Sequence, residues 1–365
     1  MRKVSLMAFA VLAMVSGGAM AQNAKSRILE NGGTGAYKAI MMEESSLATH
    51  TIFRPQDLSK FGKNNLLPVV VWGNGGCANS PSGHVNFLNE VASQGFLIVA
   101  IGPTNYQVLE GPQPGQTGAG MGAPMGGGQR PQGAPQGMGQ GGQRPQGMPG
   151  GMGGQRPQGA PQGMPQMGGQ RPQGGAPAMG GAPAMGGGMG SMGDPTGLHQ
   201  ALAWVLAQNA DKNSPYYQKL DVENIAAAGM SCGGLQALHM SDNDKIKTIL
   251  VMNSGYFGED EKKTLDSMKA KSVIWILGGP TDIAYDNGMN DFKVITKKQA
   301  LVCSLDGVGH GGTYMQPNGG EYAIVATAWL KWQLQGNKEA GTMFTGAECA
   351  LSTRPGWTVD RKNIK

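Results

Sequence analysis

Positions 111–193 contain no aromatic side chain and no acid. This stretch holds 31 of the chain's 62 glycines, 13 of its 22 prolines and 11 of its 24 methionines, and its only charges are Arg130, Arg144, Arg156 and Arg171. Such a segment cannot bury enough apolar surface to offset the entropy of ordering it. Any packed core must therefore come from the residues on either side of it. The sequence GGQRPQG recurs from Gly127, Gly141, Gly153 and Gly168. The spacing is irregular and the units have no apolar face to stack, so a flexible low-complexity loop is expected rather than a solenoid. The alternatives for its role are a lid, a tether contacting a polymer or cell surface, an entropic spacer, a soft-metal site on its thioethers, and a functionless expansion.

The chain has 365 residues and a formal net charge of +5. With +4 in this stretch and +2 from Arg2 and Lys3, the remainder carries −1. A basic nucleic-acid-binding domain is thereby disfavoured. What is left after the repeat stretch and a leader suits one large domain, placed at 22–365 and interrupted at 111–193.

Met1-Arg2-Lys3 is a short basic start followed by the apolar run 4–15, and Ala19-Met20-Ala21 supplies small residues before a cut ahead of Gln22. This predicts a signal peptide over 1–21 and a secreted or periplasmic protein. The run is too short for a spanning helix, which needs about 20 apolar residues, and no membrane span is expected elsewhere. Cys77, Cys232, Cys303 and Cys349 remain in the mature chain. An even number in an exported protein predicts two disulfides, with three connectivities open. No CxxC pair or His/Cys cluster has zinc-ligand spacing, so no metal is expected.

The apolar runs at 67–72 and 96–101 read as buried strands, 224–228, 248–252, 272–277 and 300–305 are further strand candidates, and 37–44 and 49–54 look like two more strands. Helical spacing marks 85–94 and 321–335, and Asp194 with Pro195 opens a helix through Gln208. Strands alternating with helices predict an α/β protein with a doubly wound, mostly parallel sheet.

Gly229-Met230-Ser231-Cys232-Gly233-Gly234 follows a strand and precedes helical residues. That is the setting of a nucleophile elbow, in which glycines permit a strained turn that lifts the serine hydroxyl above the sheet. The serine needs a base, and the base an orienting acid. Of five histidines, His310 lies after the next two strands in a glycine-rich loop, whereas His50 and His199 precede the elbow and His84 and His239 sit on predicted helices. Asp282 stands just past the strand 272–277, where catalytic groups converge, with Asp286 and Asp291 as fallbacks. The expected catalytic set is Ser231, Asp282 and His310. Oxyanion donors are expected from the backbone N–H of Cys232 and from the loop 72–77, with Gly75 the first choice and Asn74 the second.

The pieces VVVWGNGG, ASQGF, GMSCGG, GGPTDIA and GVGHGGTY resemble secreted α/β-hydrolases near the bacterial cutinases and polyester hydrolases, dienelactone-hydrolase-like serine esterases. The resemblance covers most of 35–350 outside the repeat stretch. It implies the α/β-hydrolase fold and a cofactor-free carboxylic-ester hydrolase acting through an acyl-enzyme on a small or polymeric ester. The chain departs from that pattern at Met230 and Cys232, where cutinases usually carry GHSMGG, and at Gly75, where an aromatic is usual. In that fold the strand before the oxyanion loop lies beside the nucleophile strand, so the resemblance implies Cys77–Cys232. Cys303 lies within the last strand, and the helix 321–335 running back along the sheet is expected to return Cys349 towards that strand's start, giving Cys303–Cys349 as the second bridge. A monomer is expected. The competing reading is an envelope- or polymer-binding protein on a hydrolase fold, with the repeat stretch as the interacting part.

Overall fold

The computed structural model describes residues 26–104 and 193–365. The expected leader at 1–21 and all of 111–193 except Gly193 lie outside the described residues. The chain divides into two units, 1–111 with 187–365 and 112–186, and the described elements belong to the first.

Its centre is built by β4 (Leu67–Gly73), β5 (Leu97–Ile101), β6 (Leu220–Met230), β7 (Ile246–Met252), β8 (Ser272–Leu277) and β9 (Gln299–Leu305). These pair in parallel in the order β5-β4-β6-β7-β8-β9. Every residue of β4 and β8 is buried, which is why they read as unbroken apolar runs. Alternate side chains feed two cores. Val69, Val71, Ile249, Val251 and Trp275 face one side, with Leu198, Leu202 and Val205 of α2 (Thr196–Ala210), Leu235 and Leu238 of α3 (Cys232–His239), and, after the short α4 (Glu259–Lys262), Phe292 of α5 (Tyr285–Val294). Val70, Trp72, Leu250, Ile274 and Ile276 face the other, with Val85, Leu88 and Val91 of α1 (Val85–Ser93) and Tyr322, Val325 and Trp329 of α6 (Gly320–Gln335). Each fully buried aliphatic side chain contributes about 1.5–3 kcal/mol, so both helical layers are held by the strand pattern itself. The result is a ten-stranded, mostly parallel sheet with helices on both faces.

The edges differ from expectation. β1 (Ser26–Arg27), β2 (Ala39–Glu43) and β3 (His50–Pro55) run antiparallel, β3 also against β5, and β10 (Trp357–Lys362) closes the far edge antiparallel to β9. A short connection such as that between β2 and β3 permits only antiparallel pairing. β10 reads WTVDRK, with only Trp357 buried, so it carries little of the apolar signal that marks a strand. α5 (YDNGMNDFKV) is likewise too polar to be picked out by spacing. α2 starts one residue later than expected. Its N-cap is Pro195, while the Asp194 carboxylate accepts from the Thr196 N–H at 3.0 Å and the Thr196 hydroxyl at 2.7 Å.

Candidate active site

β6 ends at Met230 and α3 begins at Cys232, leaving a single residue for the reversal. Ser231 takes φ 54°, ψ −117°, a conformation that costs a non-glycine residue about 1–3 kcal/mol and persists only where its surroundings enforce it. They do so here by close packing. A Cβ on Gly233 would run into the Gly73 carbonyl, and one on Gly229 into the Gly233 carbonyl. The Ser231 N–H donates to the Met252 carbonyl at 2.9 Å, fixing the elbow to β7.

Ser231 Oγ lies 3.0 Å from His310 Nε2, and His310 Nδ1 lies 2.7 Å from Asp282 Oδ1. The carboxylate can only accept, so Nδ1 carries the proton and Nε2 is left to accept from the serine. Burial by itself would push the Asp282 carboxyl up. Donors from Ala284 N–H, His310, Asn253 and Gly278 N–H outweigh it and hold the group below the usual carboxylate range. The structure thus brings the three predicted residues into one hydroxyl–imidazole–carboxylate chain, able in principle to take a proton from the serine and return it. The other histidines are engaged elsewhere or apart. His50 bonds the Gly197 carbonyl at 2.9 Å, and His239 Nδ1 donates to the Gly193 carbonyl at 2.6 Å. His84 packs edge-on against Trp72 and Tyr314, where burial lowers its pKa to about 4. His199 is exposed on α2.

The fallback acids stand apart. Asp286 lies in the first turn of α5. Asp291 is buried, accepting from Tyr256 N–H at 2.9 Å and Trp275 Nε1–H at 3.3 Å, with Oδ1 unpartnered. Burial pushes its carboxyl up to about 7. A carboxyl raised in the folded state binds its proton more tightly there than in the unfolded chain, whose value is about 3.9. Stability should therefore decline as pH rises from about 4 through about 7. Asp291→Asn removes the titration, so the difference in Tm between pH 5 and pH 8 should shrink. Thermal melts of both proteins at the two pH values test this, and an unchanged difference would refute it.

Cys77 and Cys232 form a disulfide with Cα atoms 5.2 Å apart. It ties the loop after β4 to the residue after Ser231. The Gly233 N–H donates to the Asn74 carbonyl at 3.0 Å alongside it. Gly75 and Cys232 open a 3-10 turn and α3 respectively, so each N–H belongs to a first turn with no intrahelical acceptor. These are the two groups expected as oxyanion donors. The Asn74 side chain has another role: it accepts from Trp72 Nε1–H at 3.0 Å and donates to the carbonyls of Ala78 and Ile101 at 2.9 and 2.7 Å. The expected Cys303–Cys349 bridge is not formed. Both are free thiols in the apolar core around α6, and Cys303 Sγ–H donates to the Trp275 carbonyl at 3.5 Å. Each is satisfied there as a small apolar side chain.

A cleft of about 80 Å³ opens over Ser231 and His310, lined by Leu235, Ser254, Gly255, Phe257, Ile283 and Asn287 among others. Among the described residues, no lysine, arginine, aspartate or glutamate lines it. Phe257 and Ile283 are 68% and 82% exposed, so a large apolar rim borders a small pocket. The sequence reasoning missed both, because one exposed apolar residue in a polar loop carries no periodic signal. A larger groove of about 740 Å³ runs between α1 and α6 but contains none of the three residues. Among the described residues no group of three or more His, Cys, Asp or Glu could hold a metal ion, and no helix is long and apolar enough to cross a membrane.

The described residues on either side of the repeat stretch pack on the loop after β4 and on α3. Gly102 packs against Asn79 and Ser80 of the loop after β4. On the return, His239 and Gln236 of α3 hold the carbonyls of Gly193 and Asp194, the latter at 3.0 Å.

The chain matches no family model, and no curated protein is significantly similar to it.

Proposed function

We propose that this protein is an exported serine hydrolase of the α/β-hydrolase fold that cleaves uncharged carboxylic esters. The observation that carries the reading is the Ser231–His310–Asp282 hydrogen-bonded chain, at 3.0 and 2.7 Å, set on a strained elbow. Its resemblance to the cutinase-like esterases at GMSCGG, GGPTDIA and GVGHGGTY adds support, and the basic, then apolar start of the chain supports export.

In this mechanism Ser231 Oγ attacks the ester carbonyl carbon as His310 Nε2 takes its proton, and Asp282 stabilises the imidazolium. The carbonyl oxygen becomes an oxyanion facing the N–H groups of Gly75 and Cys232. Collapse breaks the bond to the alkoxy group, which leaves with the proton from His310. Water then attacks the acyl-enzyme, again deprotonated by His310, and releases the carboxylic acid and Ser231. The small uncharged cleft suits a short acyl group. The Phe257–Ile283 rim suits an apolar remainder too large to enter, as in a polymeric ester.

The test is p-nitrophenyl acetate turnover by the full protein and by a form lacking 112–186. Turnover that survives the deletion places activity in the αβ unit. No turnover by either form overturns the reading and favours a binding protein that works through the repeat stretch.

A further inference from the structure

We propose that Asn253 is a positioning residue for the acid–base pair: its side-chain amide holds the Asp282 carboxylate and the backbone that carries His310 in one register. The proposal rests on reading Ser231, His310 and Asp282 as a hydrolytic triad. Asn253 directly follows β7, and its N–H donates to the Ile276 carbonyl of β8 at 2.8 Å. It takes φ 46°, a left-handed backbone that costs most residues about 1–2 kcal/mol and that asparagine tolerates best after glycine. Its side chain is wholly buried.

That side chain has no free polar atom. Nδ2 donates to Asp282 Oδ2 at 2.8 Å and also approaches the Gly309 carbonyl at 3.3 Å and Tyr322 Oη at 3.2 Å. Oδ1 accepts from the Tyr314 hydroxyl at 2.6 Å. The amide cannot be turned round, because the carboxylate and the Gly309 carbonyl only accept. Of the four donors on Asp282, two are the backbone N–H groups of Ala284 and Gly278, at 3.0 and 3.1 Å. The side-chain donors are His310 on Oδ1 and Asn253 on Oδ2. Gly309 immediately precedes His310, and its N–H donates to the Gly278 carbonyl at 2.7 Å. One amide therefore touches both the acid and the loop bearing the base, and the Tyr314 hydroxyl orients that amide in turn. Without it, Oδ2 keeps a single backbone donor and the carboxylate is free to rotate away from the imidazole.

Two variants separate positioning from bulk packing. Asn253→Ala should lower kcat by about tenfold to a hundredfold, as expected for a small displacement of a reacting group, with KM unchanged within about twofold. Asn253→Asp keeps the shape but sets a second carboxyl against Asp282. Two such groups cannot both ionise at this distance, so the pair holds one proton over a wide pH range. While the proton is held it donates as the amide did. Once it is lost, repulsion pushes Asp282 off His310. N253D should therefore show a fall in kcat on the alkaline side where the parent protein shows none. Independently of turnover, the downfield proton resonance of His310 Nδ1–H, assigned by its loss in His310→Ala, should weaken or move upfield in Asn253→Ala.

Parent-like kcat in Asn253→Ala, a parallel pH profile in N253D or an unmoved resonance would overturn the proposal. So would failure of the isosteric N253D to fold, because the side chain would then be structural. If the parent protein turns over no ester, the functional reading falls, while the resonance still decides whether Asn253 positions the pair.

Discussion

Ser231→Ala is expected to lower ester turnover by about 10⁴- to 10⁶-fold, the range seen when a triad nucleophile is removed, with little change in Tm. The two halves of this expectation have separate causes. Among the described residues Ser231 Oγ makes one hydrogen bond, to His310 Nε2, and losing a partly exposed bond of that kind changes stability by about 1 kcal/mol. The elbow is held by backbone contacts that alanine keeps, namely the Ser231 N–H to Met252 bond and the glycine packing at Gly229 and Gly233. Turnover, in contrast, has no second route once the attacking oxygen is gone. A fluorophosphonate should label Ser231 in the parent protein and fail to label the variant. Near-parent turnover in Ser231→Ala, or labelling of a different serine, would sink the assignment.

Reduction of Cys77–Cys232 should be the second large effect, on both stability and rate. The bridge spans 155 residues. Chain-entropy arguments for a loop of that length give about 5 kcal/mol, and the native state keeps its other contacts. The rate effect comes from geometry. Cys77 belongs to the turn that Gly75 opens, and Cys232 follows the nucleophile, so the bridge fixes the spacing of the two proposed oxyanion donors. A preorganised donor is worth about 10²–10³-fold in kcat. Loosening one without removing it should cost kcat up to about 100-fold, with KM for a short ester moving far less. The Gly233 N–H to Asn74 bond retains part of the contact, which is why the loss is not total. Kinetics of the Cys77→Ala/Cys232→Ala double variant, with an equilibrium urea curve, measure both quantities. Parent-like kcat would show that the bridge serves stability alone. Non-reducing peptide mapping of denatured protein should recover Cys303 and Cys349 as free thiols.

Much of the central sheet was legible because its information is local. A strand buried on both faces must be apolar at every position, and Val69-Val70-Val71-Trp72 and Val273-Ile274-Trp275-Ile276 satisfy that without reference to any partner. Edge strands face fewer neighbours. β10 therefore tolerates Thr358, Asp360, Arg361 and Lys362 and does not look like a strand until β9 is beside it. α5 shows the same limit. Gly288 sits inside it against Leu277 and the Ser254 carbonyl, a close approach that only the packed structure reveals.

By itself, the amino-acid sequence determined that residues on both sides of 111–193 form an α/β unit. It also determined that Ser231 sits at a strand-to-helix turn and that Asp282 and His310 follow it in loops after later strands. Each of these depends on residues within a few positions of one another: an apolar run, glycines about a serine, a glycine-rich loop. Tertiary structure alone decided that His310 faces Asp282 and not Asp286 or Asp291, that Asn253 grips the same carboxylate, that Phe257 and Ile283 meet at one rim, and that Cys303 and Cys349 stay unpaired. Those outcomes turn on gaps of a few ångströms between residues tens of positions apart. Such gaps are set by how helices and strands pack across the sheet, for which no short stretch of sequence carries the information.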